Sequence, residues 1–156
     1  MKKGLLVLFF CFELLVLAFL GVRGARATLG ESVDSIEADR RALAAAEVVS
    51  TAHENYTVHQ LKYDGTSVRE YVSPSGIVFG IAWNGLVNPN LTPLLGSYAG
   101  EYEEALGRTV RKHGERHLRV ESDHVVVEKW GHMRNLKDRA YAPDIIPKGV
   151  TINEIR

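Results

Sequence analysis

The sequence predicts an α+β domain, an antiparallel sheet that opens with a β-meander and is packed by two short helices. Three observations carry that expectation. The stretch from Tyr56 to Trp83, YTVHQLKYDGTSVREYVSPSGIVFGIAW, alternates apolar and polar residues in three runs separated by turn formers. Helix-favouring segments flank it over 34–46 and 94–106. Two β-rich runs, His117 to Ser122 and His124 to His132, supply strands that extend the sheet.

Taken in order, the chain begins with Lys2-Lys3, a nearly unbroken apolar run from Gly4 to Leu20, and Ala25-Arg26-Ala27. A positive start, an apolar stretch and an A-x-A site together describe a secretory signal peptide over residues 1–27. Cleavage falls near Ala27-Thr28, and residues 28–156 form a single domain. Glu13 inside the run argues against a retained anchor, because an acidic group at the centre of a membrane helix costs about 2.5–3.5 kcal/mol. The expectation is an exported protein, periplasmic or extracellular, with no stable membrane span after cleavage. Cys11, the single cysteine, leaves with the leader, so the domain holds no disulfide and rests on its core.

Asp34-Ser35-Ile36-Glu37 has the spacing of a capping box, and Ile36, Leu43 and the alanines up to Ala46 favour the helix behind it. Ser50 to Asn55 reads as a short polar link into the first strand. That strand, Tyr56 to Tyr63, ends at Asp64-Gly65, a dipeptide that suits a tight hairpin turn. Thr66 to Ser73 sets Val68 and Val72 opposite Arg69 and Tyr71, and Pro74-Ser75-Gly76 breaks it. In the third run Ile77, Phe79, Ile81 and Trp83 share one face, while Gly80 and Ala82, with Val78, share the other, which something packs against closely. Asn84 to Pro93 is a loop, and Leu94 to Leu106 a helix weakened by Gly96 and Gly100. Arg108 to Arg116 is a connection. The tail from Asn135 to Arg156 holds Pro143 and Pro147, and Val150-Thr151-Ile152 suits a short edge strand.

Charge narrows the partners. The chain carries 19 basic and 19 acidic residues; removing Lys2, Lys3, Arg23, Arg26 and Glu13 leaves 15 against 18, a formal charge of −3. A mildly acidic domain has no electrostatic case for nucleic acid or an anionic membrane. Six histidines raise a metal hypothesis, with His59, His117, His124 and His132 the candidate ligands, yet no cysteine or HExxH pattern accompanies them. Solvated or hydrogen-bonded imidazoles on a half-exposed sheet fit that spacing better. Ser73 and Ser75 lie in a turn without a nucleophile elbow. Glu101, Glu103 and Glu104 point to different sides of a helix, and Arg69 and Glu70 read as exposed positions or a cross-strand ion pair. No catalytic residue and no cofactor fingerprint emerges. Tyr63, Tyr71, Trp83 and Trp130 are the candidates for a binding surface, the same residues being ordinary core material. Asn55 and Asn90 head N-x-T sequons, which bear on function only in a eukaryotic secretory route.

SIEADRRAL within Ser35–Leu43, YTVHQL followed by VREYVSPSGIVFGIAW, and LLGSY ending at Tyr98 together resemble a family of bacterial exported proteins built on a single domain of unknown function. The resemblance implies export and one small domain, and it supplies no catalytic residues. The expected role is a non-enzymatic binding or envelope-associated accessory protein. The alternatives are an undetected hydrolase or metal-dependent enzyme, and an inhibitor or accessory partner of another exported protein.

Overall fold

A computed structural model of the chain describes residues 29–42, 48–63, 65–86, 90–111, 114–132 and 135–156. The expected leader, the last residues of the first helix, Asp64 and His113 lie outside the described residues. So does the side chain of Tyr63. Among the described residues no helix is long and apolar enough to cross a membrane.

The fold is dominated by one seven-stranded antiparallel sheet, in the order β1-β2-β3-β4-β7-β6-β5. The strands are β1 (Val48–Ala52), β2 (Thr57–Tyr63), β3 (Thr66–Val72), β4 (Val78–Gly85), β5 (Leu118–Glu121), β6 (Val126–His132) and β7 (Asn135–Tyr141). Two meanders, β1 to β4 and β5 to β7, meet where β7 pairs with β4. Helical residues are α1 (Ile36–Ala42), α2 (Leu91–Leu95) and α3 (Ala99–Arg108), the last two joined by a 3-10 turn over Gly96–Tyr98. α2 starts earlier than expected because the Asn90 side chain accepts from Thr92 N at 3.1 Å. Pro93 is tolerated there because the first turn of a helix needs no backbone donor. At α1, Ser32 rather than Asp34 supplies the cap, accepting from Asp34 N through a preceding 3-10 turn.

Strand pairing fixes the two faces. The row Leu61, Val68, Trp83, Asp138, Lys129 and the row Glu70, Ile81, Ala140, Val127, Val120 point to one side. Their apolar members pack with Ile36, Leu91, Leu94, Leu95, Tyr102 and Ala105 into the main core. The alternating rows, Gln60, Arg69, Ala82, Arg139, Glu128, Arg119 and Val58, Tyr71, Gly80, Tyr141, Val126, point to the other side. A smaller core forms there from Tyr56, Tyr71, Phe79, Val126, Tyr141 and Ile155.

Five sequence expectations are corrected. Phe79 lies with Gly80 and Ala82, not with Ile81 and Trp83, because the register shifts so that Tyr71 opposes Gly80 while Val72 opposes Val78. The extra residue in that bulge turns Phe79 onto the second face, where it meets the Tyr56 and Tyr71 rings, and Val78 joins the main core. Ser50 to Ala52, read as a link, belongs to edge strand β1. Asn135 to Tyr141, read as tail, is β7 at the centre of the sheet. Val150 to Ile152 is not a strand, since Thr151 and Glu154 close a reciprocal capping box around a 3-10 turn. Glu70, read as exposed, is fully buried on the helix side, whereas Arg69 lies on the other face.

What packs on Gly80 is the chain's own final segment. A Cβ at Gly80 would stand 2.9 Å from Ile155 Cδ1, so a larger residue there would force the Ile155 side chain to shift. Arg139 Nη1 donates to the carbonyls of Ile152 at 2.7 Å and Ile155 at 3.2 Å, and Tyr71 Oη donates to Arg156 O at 2.8 Å while accepting from Arg156 N at 3.0 Å. Residues 143–156 thereby form a strap across the second face. Ile155→Ala is expected to cost about 2 kcal/mol, toward the low end for a buried isoleucine because the strap can settle into the space. A fall of about 8 °C in the thermal midpoint checks it.

Candidate functional site

Between the strap and strands β1 to β3 lies a cavity of about 590 Å³. Tyr56, Val58, Gln60, Arg69 and Tyr71 line it from the sheet, and Glu154 and Arg156 line it from the strap. Strand alternation supplies these sheet residues, because every second position of β2 and β3 points to this side. The two tyrosines are held at both ends. Tyr56 stacks on His53 at 4.5 Å between centroids and donates to Glu154 Oε2 at 3.0 Å. Tyr71 is tied to the Arg156 backbone, as described above. Burial, then the Glu154 carboxylate beside it, raises the Tyr56 hydroxyl above its ordinary range.

A second cavity of about 280 Å³ adjoins the first and shares Arg69 and Arg156 with it. Its other walls include Asn84, Trp130 and Lys137. Arg69 is positioned by donating from Nη2 to Asn84 Oδ1 at 2.8 Å. Trp130 carries the Arg139 guanidinium 5.5 Å from its ring centroid. Trp83 and Asp138 reach this cavity from the core side, with Trp83 Nε1 donating to Asp138 Oδ2 at 2.7 Å.

Of the sequence candidates, Tyr71, Trp83 and Trp130 line this pair of adjoining cavities. Trp83 is almost wholly buried and contributes little surface. Arg69, Gln60, Asn84, Lys137 and Arg156 also line these cavities and were not among the sequence candidates for a binding surface. For Arg69 a signal existed, because β3 alternation sets it on the same side as Tyr71.

The histidines are dispersed. His59 Nδ1 lies 2.8 Å from Ser50 Oγ near the β1 edge, and burial lowers its pKa. His124 meets Glu101 through its backbone N at 2.8 Å. The Glu101 carboxyl is held below its usual range by hydrogen bonds from Ser122 and from the His124 backbone. His132 approaches Arg116 at 3.2 Å, and His117 packs near Trp130 at 6.4 Å between centroids. His117 and His132 border a further cavity of about 340 Å³. Among the described residues no group of three or more His, Cys, Asp or Glu side chains is placed to hold a metal ion.

Burial raises the Asp138 carboxyl above its ordinary range, with the Trp83 hydrogen bond opposing. A raised folded-state value means that the group's contribution to stability is full below the unfolded pKa of about 3.9 and declines as pH rises through the folded value. Asp138→Asn keeps an acceptor for Trp83 Nε1 and removes the charge. Its stability relative to the parent should therefore rise as pH increases from about 4 to 7, read by urea unfolding at several pH values.

Sheet and helices define the class, an α+β fold built mostly of antiparallel sheet. Within that class the chain belongs to the family described as Protein of unknown function (DUF2844), which its residues 25–155 match. No curated protein and no solved structure matches it.

Proposed function

We propose that the chain is an exported, non-enzymatic binding domain, an accessory protein of the envelope or secreted fraction, and that the strapped groove holds its ligand. The observation that carries the reading is the larger cavity. Two aromatic rings fixed by hydrogen bonds form its walls, and Gln60, Arg69 and Arg156 converge on it from different elements. A concave site with preset apolar walls and a few convergent polar groups is the usual form of a small-molecule site. Preset walls also limit the ordering cost of binding.

Export is supported by the charged start, apolar run and A-x-A site of residues 1–27. In this reading residues 28–156 are the working domain, with α1 joining α2 and α3 in covering the main core. N-terminal sequencing of the secreted protein tests it. Thr28 is the expected first residue, and a start at Met1 overturns export. The groove is tested by amide NMR of the full chain against a library of small polar aromatic compounds. Shifts clustered at Gln60, Arg69, Tyr71 and Arg156 are expected, and shifts confined to other surfaces overturn the assignment.

A further inference from the structure

The cations of the smaller cavity are distributed in a way the composition does not require. The chain holds equal numbers of basic and acidic residues, yet Arg69, Lys137 and Arg156 border one space of about 280 Å³. Among the described residues none of the three forms an ion pair. The side-chain carboxylates nearby are committed elsewhere. Glu128 is held by Arg119 and Arg139, and Glu154 accepts from Tyr56 Oη and from Thr151 N. Asp138 accepts from Trp83 Nε1 within the core and does not appear in an ion pair with any of the three cations.

Arg69 is the best placed of the cations. Its Nη2 is fixed on Asn84, its Nε meets no acceptor among the described residues, and its partly buried position lowers the local dielectric. Pairing along the sheet puts Asn84 beside Lys137 and Lys137 beside Trp130, so amide, ammonium and indole follow one another across β4, β7 and β6. A planar guanidinium held by one nitrogen has a fixed orientation, which suits it to a carboxylate or phosphate reaching its exposed edge.

We propose that the corner where Arg69, Lys137 and Arg156 meet Trp130 is an anion-binding subsite that takes the carboxylate or phosphate of a small organic ligand. The inference rests on the groove being the ligand site and names the chemistry of what enters it. The anion lies between Arg69 and Lys137, Asn84 holds the guanidinium in place, and Trp130 supplies an apolar wall for the body of the ligand. The larger cavity next door, with Tyr56 and Tyr71, then accommodates the rest of the molecule.

The test is titration of the full chain with benzoate, with benzamide as its neutral isostere, and with inorganic phosphate as a separate arm. Amide shifts are read at Arg69, Asn84 and Lys137. Benzoate is expected to bind at least about tenfold more tightly than benzamide, since a hydrogen bond to a charged group contributes about 1.5–3 kcal/mol. Arg69→Gln should weaken benzoate about tenfold. Lys137→Gln, at an exposed position that leaves the fold untouched, should weaken it about threefold, and added salt should weaken it further. Phosphate shifting the same amides without benzoate doing so assigns the subsite to phosphate. Equal binding of benzoate and benzamide in the groove overturns the anion subsite while leaving the groove as a ligand site. Absence of shifts there from all three probes overturns the subsite, and absence across the whole library as well overturns the groove.

Discussion

Replacing Gly131 with alanine is expected to lower the unfolding free energy by about 2–5 kcal/mol, from positive-φ strain and overpacking together. Gly131 sits in β6 opposite Leu136 of β7, with φ at +123°. An L side chain rarely adopts that conformation. Space is refused as well, because a Cβ there would overlap the carbonyl oxygen of Asn135 and stand 3.1 Å from Leu136 Cα. All of these obstacles are backbone, so no rotamer change relieves them. The hairpin β6–β7 carries Glu128, Trp130, Lys137 and Asp138, so strain at Gly131 reaches the groove as well as the fold. Urea unfolding measures the effect, and Gly107→Ala is the control. Gly107 lies exposed in α3 with nothing within 4 Å of the added methyl, and alanine there should stabilise by about 0.5–1 kcal/mol. Similar losses at both positions would show that the contact at Gly131 relaxes and that the argument from backbone overlap is wrong.

What the sequence disclosed follows from which physical signals are local. β2, β3 and β4 were legible because turn residues and alternation agree, and Tyr71 and Arg69 were correctly set on one face by alternation alone. The bulge was not legible. Phe79 is apolar and can fill either core, and a one-residue shift in pairing moves it from one face to the other. β7 was hidden by its own polarity: NLKDRAY looks like solvated tail, yet Asp138 is buried against Trp83 and Arg139 against Glu128. Those partners lie on β4 and β6, so the reason the charges are tolerated is tertiary. Glu70 could have been placed, since alternation puts it with Val68 and Val72 on the buried side, but a charged side chain reads as exposed by default.

The groove shows the same division. Its aromatic walls were visible as aromatic content, while the cluster of cations was not, because Lys137 lies on the unrecognised β7 and Arg156 joins only when the strap folds back over the sheet. Gly80 was read as a place of close approach from its size. The occupant, Ile155, is 75 positions further along the chain and no local pattern names it.

The second large effect is expected at Glu128. Removing its carboxylate as Glu128→Ala should cost about 3 kcal/mol, the lower part of the range for breaking a buried pair. The carboxylate is buried, accepting from Arg119 Nη1 at 2.6 Å and from Arg139 Nε on the neighbouring strand. The partners differ in how much they lose. Arg139 has a side chain only 16 % exposed and would be left as a buried charge, whereas Arg119 is 42 % exposed and also meets Glu121, so its share is discounted for solvent screening. Arg139 also holds the Ile152 and Ile155 carbonyls, so a guanidinium freed from Glu128 loosens the strap that closes the groove. Burial pushes the Glu128 carboxyl up, but hydrogen bonds from Arg139 and Arg119 outweigh it and hold the group below the ordinary glutamate range. A depressed folded-state value gives stability that is complete above the unfolded pKa of about 4.3 and is lost as pH falls through the folded value. Acid unfolding should therefore steepen below about pH 4 in the parent and flatten in Glu128→Gln, opposite in sign to the change expected at Asp138. A double-mutant cycle with Arg139→Met separates the pair from the cost of an orphaned charge. If the losses of Glu128→Ala and Arg139→Met simply add in the double mutant, and the acid limb is unchanged, the carboxylate does not anchor the strap through Arg139.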